Sequence, residues 1–313
     1  MAAAKANSKK YIVPINMNGL QGRMLHMPSK RKGAYEMLFV YGHHSSLERW
    51  WGLMQVLHEL GPVTMPDLPG FGGMDSFYKI GKEPSIDNLA DYLASFIKLR
   101  YKKRKIILVG LSYGFVLITR MLQRYPELTK NVVMLVSLVG FADHEDFSFS
   151  KVQYYGYLYS AAILKHRLPA FIFRYLILNG PVLRTFYHRT PNAKNKFIDF
   201  SKEEIQRKIK VEVWLWQNNE VRTYMYTTHE FLLFTNCDRR VDLPVYHVSA
   251  KEDHFFDNSR VEQHMRVIFK DFKSFIINTN NHAPTVIASK KEASSIIPQE
   301  LKQIVKSLNK DKD

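Results

Sequence analysis

Gly110-Leu111-Ser112-Tyr113-Gly114 directly follows an apolar run, residues 106–109, and directly precedes a helical pattern. The apolar run is typical of a buried strand, so the pentapeptide is expected to form a sharp turn from strand to helix. Such a turn needs almost no side chain two positions before and after its centre, and Gly110 and Gly114 occupy those positions. The hydroxyl of Ser112 would then lie at a helix N-terminus, where unpaired N–H groups favour negative charge. The pattern predicts that Ser112 is a nucleophile.

Strands and helices alternate on both sides of this turn. Predicted strands cover residues 37–41, 63–65, 106–109, 132–139, 245–248 and 274–277, and predicted helices cover 47–60, 85–99, 112–125 and 259–269. The alternation predicts an α/β fold with a mostly parallel sheet and helices on both of its faces. Residues 11–27, with Asn18-Gly19 at their centre, predict an antiparallel hairpin at the sheet edge.

An aromatic and basic segment interrupts the alternation. We therefore predict that residues 1–140 form the N-terminal part of the core, 141–238 an inserted, mainly helical cap, and 239–313 the C-terminal part of the core. Such a cap would make an apolar pocket over the serine. Its aromatic residues recur at helical spacing and include Tyr154, Tyr155, Tyr157, Tyr159, Phe171, Phe173, Tyr175, Trp214, Trp216, Tyr224, Tyr226 and Phe231.

Composition narrows the class of protein and of partner. The 313 residues are 46% hydrophobic and 13% aromatic, which excludes global disorder. The formal net charge is +16, but much of it is scattered or terminal and no nucleic-acid motif accompanies it. We expect loose attraction to anionic surfaces and no specific nucleic-acid binding. The run 164–167, beside Phe171, Phe173 and Tyr175, either packs on the core, which is the simpler interpretation, or contacts an anionic membrane surface.

Cys237 is the only cysteine, which excludes an intramolecular disulfide and a thiolate metal site and fits a reducing compartment. The paired His43 and His44 have no carboxylate at a recognisable ligand spacing, so no metal site is expected. Residues 1–10 lack the apolar run of a signal peptide, and no apolar stretch is long enough to span a bilayer. The expectation is a soluble, cytoplasmic protein.

Two partners for the serine follow later strands. Asp253 comes after the strand 245–248, and His282 comes after the strand 274–277. In this arrangement His282 would take the Ser112 proton and return it to the leaving group, while Asp253 would orient the imidazole and stabilise its charged form. Each residue alone has a structural interpretation, Asp253 as a loop cap and His282 as one of twelve histidines. Together the three predict a hydrolytic triad.

Three other carboxylates remain candidates for the acid. Glu252 is adjacent to Asp253, Asp257 is four residues further on, and Asp143 follows the preceding strand. Asp253 is preferred because its position after the strand should direct its carboxylate to the end of the sheet.

The reaction also needs two donors for the developing oxyanion. The backbone N–H of Tyr113, directly after the nucleophile, is the first candidate. The second is the backbone N–H of His43, because Gly42 lets that chain turn closely after its strand. His44, Ser45 and Ser46 belong to the same loop.

The segments Tyr41-Gly42-His43-His44 and Asp67-Leu68-Pro69-Gly70-Phe71-Gly72, together with the serine turn, the acid and the histidine, resemble the α/β-hydrolase superfamily. The resemblance is to the group with a cap inserted after the sixth strand. It implies a core of about eight strands, no cofactor, and a two-step reaction through an acyl-serine. Tyr41, Phe115 and Asn281 stand where this family more often has His, Gly and Gly.

The nucleophile limits the reaction. Haloalkane dehalogenases and epoxide hydrolases of this superfamily would carry Asp at position 112, so both are disfavoured. A serine predicts hydrolysis of a small acyl substrate, in the first place a carboxylic ester with an apolar moiety. An acyl-thioesterase, an amidase and a C–C bond hydrolase would use the same triad, and a catalytically silent ligand-binding relative is the non-enzyme alternative.

Overall fold

The structure is a computed structural model that describes residues 8–29, 33–178, 182, 202–279 and 290–310. Eight strands are present in these ranges: β1 (Ile12–Met17), β2 (Leu20–Met27), β3 (Glu36–Val40), β4 (Val63–Pro66), β5 (Ile106–Leu111), β6 (Val132–Leu138), β7 (Val241–Ala250) and β8 (Phe269–Ile277). They form one sheet in the order β1-β2-β4-β3-β5-β6-β7-β8. β1 and β2 are antiparallel, β2 is antiparallel to β4, and all other neighbours are parallel.

The apolar content of each strand follows its place in the sheet. β4 and β5 are buried at every residue, as expected of parallel strands covered on both faces. The predicted hairpin is confirmed as β1 and β2 at the sheet edge, and both residues of its turn, Asn18 and Gly19, have positive φ. Asn-Gly is the pair that adopts this turn most readily, because its twist matches that of the strands.

Ten α-helices lie in the described ranges, most of them between the strands of the sheet. They are α1 (Trp51–His58), α2 (Ile86–Tyr101), α3 (Tyr113–Arg124), α4 (Lys151–Leu164), α5 (Arg167–Ile172), α6 (Lys202–Asn218), α7 (Val221–Phe231), α8 (Asn258–Ile268), α9 (Lys290–Ser294) and α10 (Gln299–Lys310). A 3₁₀ turn, Leu47–Trp50, precedes α1. The predicted start of α2 is confirmed, because the Ser85 side chain accepts a hydrogen bond from the Asn88 backbone N–H.

The predicted architecture is therefore confirmed: it is an α/β fold with an eight-stranded, mostly parallel sheet. The chain leaves the sheet after β6 and returns at β7, and the long regular elements described between them are the helices α4 to α7. α4 and α5 both pack against α7. None of the helices in the described ranges combines the length and apolar character needed to cross a bilayer.

Candidate active site

Ser112 lies between β5 and α3 with φ 49° and ψ −121°, a conformation that non-glycine residues rarely adopt. A Cβ at Gly110 would lie 2.6 Å from the Phe115 Cα, and one at Gly114 would lie 2.2 Å from the Val40 carbonyl oxygen. Any larger residue would therefore push the helix away from the sheet. The two glycines and the strained serine form the sharp turn that the sequence predicts, with Ser112 at the start of α3.

The phenylalanine at position 115 is accommodated by a third glycine. Phe115 is fully buried, and its ring lies 5.7 Å from that of Phe269. A Cβ at Gly140 would lie 2.8 Å from the Phe115 Cβ and 2.4 Å from the Ser137 hydroxyl. The absence of a side chain at Gly140, just after β6, thus leaves space for the Phe115 ring, and the serine turn keeps its conformation.

The loop after β3 passes directly against the serine. A Cβ at Gly42 would lie 3.3 Å from the Ser112 Cβ, so only glycine fits here without displacement. The rings of His43 and Tyr113 are 5.3 Å apart. Tyr113 is the first residue of α3, so its backbone N–H is one of those without an acceptor inside the helix. The structure therefore brings Ser112, His43 and Tyr113 close together.

The side chain of His43 anchors this loop to the inserted helices. Its Nε2 lies 2.7 Å from the Thr227 hydroxyl, and its ring stacks on Tyr224 at 4.3 Å. The Thr227 hydroxyl donates to the Thr223 carbonyl oxygen at 2.8 Å, so it accepts from the His43 Nε2–H. Burial, followed by the neighbouring His44, lowers the pKa of His43 well below its ordinary value. The imidazole is neutral at neutral pH and is unsuited to take up a proton.

His44 is held in the same way. It has φ 54°, and its ring lies 4.2 Å from that of Trp216. The Asn219 amide donates to His44 Nδ1 at 3.2 Å, while the Asn219 oxygen accepts from the Gly72 N–H at 2.8 Å. His44 Nε2 lies 3.6 Å from a Glu212 carboxylate oxygen, and burial lowers the pKa of His44. Both histidines therefore have structural partners in α6, in α7 and in the two-residue link between these helices.

A buried carboxylate joins this loop to the turn at residues 67–72. Asp67 Oδ1 accepts from the Tyr41 hydroxyl at 3.0 Å, and Oδ2 accepts from Arg23 Nε at 2.8 Å. The Tyr41 hydroxyl in turn accepts from the Leu68 N–H at 2.7 Å. Burial raises the pKa of Asp67 to about 6, against the lowering effect of Arg23. The carboxylate is therefore ionised at neutral pH, and it fixes the strand end that precedes the loop.

Two members of this network were not identified from the sequence. Arg23 also donates to both carboxylate oxygens of Glu48, at 2.6 and 2.9 Å. Arg23 is on β2 and Glu48 is in the 3₁₀ turn before α1, and neither belongs to a recognised motif. Gly72, within the motif, has φ 60°, and a Cβ there would lie 2.2 Å from Asp67 Oδ1, so this glycine makes room for the carboxylate.

The candidate acids differ in their surroundings. Asp253 follows β7, and its Oδ1 accepts from the backbone N–H groups of Phe255, at 2.8 Å, and Phe256, at 3.3 Å. Asp143 is buried and accepts from the Glu145 N–H at 2.8 Å, which caps a short helical turn.

Asp257 caps α8 through the Ser259 N–H, and Glu252 is exposed. Asp253 thus follows the end of a strand, and its carboxylate accepts from backbone N–H groups of a loop and does not cap a helix. The predicted base, His282, and its neighbour Asn281 lie outside the described residues.

One group of side chains in the described ranges has the composition of a metal site. Ligand atoms of Asp143, Cys237 and His264 lie within 4.8 Å of one another. His264 Nδ1 lies 2.6 Å from the buried Asp146, an arrangement that orients metal-binding histidines in other proteins. Burial raises the pKa of Cys237 to about 11, so the thiol keeps its proton at neutral pH unless a cation replaces it. The three residues are far apart in sequence, so no spacing pattern could reveal them, and the exclusion of a thiolate site from the single cysteine does not extend to a mixed group of this kind.

Comparison with known proteins places the chain among proteins of the α/β-hydrolase fold. A family model described as "alpha/beta hydrolase fold" matches residues 36–284. Protein ABHD8 from Bos taurus is 31% identical over 100 residues, which are 32% of this chain and 23% of that protein. The matched stretch therefore spans less than a quarter of this relative.

Solved structures are similar over nearly the whole chain. A thermophilic esterase from Thermogutta terrifontis has a TM-score of 0.61 at 16% identity, with 96% of this chain and 98% of the esterase covered. A putative lipase from Acinetobacter baumannii AYE has a TM-score of 0.62 at 16% identity, with 98% and 96% covered. At such identities the similarity shows the fold and leaves the substrate open.

Proposed function

The chain belongs to the α/β-hydrolase-fold family, and from this premise we propose that it is a serine hydrolase that cleaves a carboxylic ester with an apolar moiety. The observation that carries the proposal is the conformation of Ser112, a strained residue at the N-terminus of α3 with the Gly42 loop packed against it. Strain of this kind costs free energy and is retained chiefly at functional sites.

The proposed reaction has two steps. The Ser112 oxygen attacks the ester carbonyl carbon as its proton passes to His282, and the backbone N–H groups of His43 and Tyr113 stabilise the oxyanion. The C–O bond to the alcohol then breaks, the alcohol leaves with the proton from His282, and an acyl-serine remains. Water, deprotonated by His282, releases the acid and restores the serine. Asp253 orients the imidazole throughout.

The described histidines near the serine do not compete for the role of base. Burial lowers the pKa values of both His43 and His44, and both rings already have partners in the inserted helices. A base must become charged during the reaction, which these surroundings disfavour. This supports the assignment of proton transfer to His282, which follows β8 in sequence.

The inserted segment, for which we retain the boundaries 141–238, supplies the apolar surroundings expected for such a substrate. Tyr224 and Phe231 from α7 lie against the ring of His43, with centroid distances of 4.3 and 5.1 Å. The neighbouring esterase and putative lipase agree with an ester substrate. The basic charge of the chain also suits an anionic acyl-thioester, which is the second candidate.

The test compares wild type with Ser112→Ala on p-nitrophenyl esters of increasing acyl length. We expect the wild type to release p-nitrophenol and the variant to lose most of that activity, and a fluorophosphonate probe to label Ser112 alone. Equal rates, or an adduct on another residue, would refute the assignment. A matched panel of esters, thioesters, amides and C–C substrates then selects the bond, and a protein that neither labels nor hydrolyses fits the ligand-binding alternative.

A further inference from the structure

The outer faces of α4 and α5 expose an unusual amount of apolar surface. On α4, Tyr155, Tyr159 and Ile163 follow one another at helical spacing and are 50%, 63% and 60% exposed. After it come Leu168 and Phe171 on α5 and Tyr175 in the π-helical turn Phe173–Ile177, three and four residues apart, and they are 68%, 59% and 61% exposed. These six residues are called here the exposed apolar face.

The face is ordered as two stripes of side chains. The rings of Tyr155 and Tyr159 stack at 6.0 Å, and those of Phe171 and Tyr175 lie 4.6 Å apart. The opposite sides of both helices pack on α7, so the stripes lie away from the core. Of the residues considered for core packing or membrane contact, Leu164 and Phe173 pack against a buried cluster. Core packing, the simpler interpretation from sequence, therefore does not account for Phe171 and Tyr175.

The stretch of sequence that carries this face has charged residues of a single sign. The sequence from Phe147 to Ile198 contains no Asp or Glu. It contains eight Lys and Arg residues: Lys151, Lys165, Arg167, Arg174, Arg184, Arg189, Lys194 and Lys196. Exposed aromatic and aliphatic side chains whose charged neighbours in the sequence are Lys and Arg alone match the interfacial region of an anionic bilayer. A second copy of this chain would bring the same positive charge to the contact, which disfavours self-association through this face.

The face is one helix away from the candidate active site. α4 packs on α7, and α7 brings Tyr224, Thr227 and Phe231 to the His43 ring. A molecule entering from a surface held against α4 and α5 would therefore reach the apolar surroundings of the serine loop by way of α7.

We propose that the exposed apolar face docks the protein on an anionic lipid surface, and that the substrate is an acyl ester taken from that surface. The second part rests on the proposed serine hydrolase function, and the first part does not. Apolar contact supplies most of the affinity because it removes exposed apolar surface from water, and the basic residues add attraction to anionic headgroups.

The docking test uses full-length Ser112→Ala protein, so that hydrolysis cannot alter the vesicles. It is sedimented with vesicles of phosphatidylcholine alone or with phosphatidylglycerol added. We expect binding to be about tenfold tighter with the anionic lipid and weaker in high salt. Adding Leu168→Gln and Phe171→Gln should weaken binding at least about tenfold. Adding Leu99→Gln is the matched control, because Leu99 is 65% exposed on α2, and it should bind as before.

Three outcomes would overturn the docking proposal: no preference for anionic vesicles, equal binding with and without the Leu168 and Phe171 changes, or a dimer in light scattering that those changes dissociate. The substrate class is tested in wild type by hydrolysis of long-chain esters within vesicles. The Leu168→Gln/Phe171→Gln change should slow that reaction and spare a dissolved short-chain ester. Vesicle binding without hydrolysis of any ester would refute the proposed function alone, and hydrolysis without binding would refute the docking alone.

Discussion

The Tyr41 hydroxyl donates to Oδ1 of the buried Asp67 at 3.0 Å and accepts from the Leu68 N–H at 2.7 Å. Tyr41 directly precedes the loop that carries His43, and Asp67 begins the turn that follows β4. One phenol therefore holds together two loops at the carboxyl end of the sheet. Because the bond is made by the side chain, the histidine more usual at position 41 is not needed to keep the loop in place.

We expect Tyr41→Phe to lower both stability and turnover. The change leaves the Leu68 N–H without its acceptor and removes one of the donors to Asp67 Oδ1, which keeps the Leu47 N–H, at a cost of about 2 kcal/mol in the free energy of unfolding. Tyr92→Phe is the control, because the Tyr92 hydroxyl donates only to the Asp67 carbonyl oxygen, and about 1 kcal/mol should be lost. Urea denaturation measures both. A Tyr41→Phe protein with wild-type stability and kcat would show that this phenol does not position the loop.

Gly114→Ala should prevent the serine turn from forming. A Cβ at this position would lie 2.2 Å from the Val40 and 2.5 Å from the Tyr41 carbonyl oxygens, both of which are backbone atoms that cannot move aside. Gly156→Ala, in the interior of α4, meets no atom within 4 Å and should stabilise the helix by about 1 kcal/mol. Thermal unfolding compares the two, and fluorophosphonate labelling reports whether the serine of Gly114→Ala is still reactive. Normal labelling of Gly114→Ala would contradict the turn geometry.

Substitutions of the two leading candidate acids should affect different properties, kcat for Asp253 and stability for Asp143. Asp253→Asn should lower kcat by about 10⁴-fold with little effect on melting temperature, as expected when the group that orients the base is lost. Asp143→Asn should leave kcat within about tenfold and lower stability by about 1 kcal/mol, because this carboxylate caps a helical turn. Steady-state kinetics and thermal unfolding of both variants show which residue is the catalytic acid. The reverse pattern would make Asp143 the catalytic acid.

Glu230 should make stability depend on pH in a recognisable way. Burial, together with Asp87 and Glu83, raises the pKa of Glu230 to about 7, while Lys165 and the Ile86 N–H lower it. Its folded pKa is above the unfolded value, so its stabilising contribution is present in acid and lost as the pH rises through about 7. Glu230→Gln keeps an acceptor for Ile86 and carries no charge.

The variant should therefore match the wild type near pH 5 and exceed it near pH 8 by about 2 kcal/mol in the free energy of unfolding. Glu262→Gln, at an exposed site on α8, is the control and should show no such difference between the two pH values. Urea denaturation across this range makes the measurement. A constant difference between Glu230→Gln and wild type would mean that Glu230 is already ionised in the folded protein at pH 5.

The features that could be predicted from the sequence are those that depend on residues close to one another along the chain. The serine turn, the Asn18-Gly19 hairpin and the Ser85 helix cap each require particular residues a few positions apart, so a local pattern suffices. Arg23 and Asp67 are 44 residues apart, and their contact depends on how β2 and β4 pair. Such a contact leaves no repeating pattern in the sequence from which it could be predicted.

The exposed apolar face shows a different limit. Helical periodicity places Tyr155 and Tyr159 on one side of a helix, but the same pattern arises whether that side covers a core or a partner. Only the packing of α4 on α7 shows that these residues are on the outside. The sequence could therefore predict the helix and the apolar residues along one of its sides. It could not decide whether that side packs on the core or contacts a membrane surface.

Thr227→Val should lower kcat through the position of the loop that holds His43. The Thr227 hydroxyl is buried and accepts from His43 Nε2 across 184 residues of sequence, so it fixes α7 against the candidate oxyanion donor. Valine has nearly the same shape but no acceptor, which leaves a buried imidazole N–H unpaired. A donor displaced from its position should cost about tenfold in kcat, less than its complete removal, with KM for a short ester little changed.

Two variants on the same helix make the interpretation specific. Thr227→Ser keeps the hydroxyl, so its kcat should equal that of the wild type. Thr228→Val removes a hydroxyl that donates to the Tyr224 carbonyl oxygen at 2.8 Å and does not contact His43, so kcat should stay at the wild-type value. If both valine variants lose activity equally, the effect belongs to α7 as a whole. If neither loses activity, the backbone of the loop keeps its position without the His43 side chain, because the Gly42 contact with the serine turn and the Tyr41 bond to Asp67 are then sufficient to hold it.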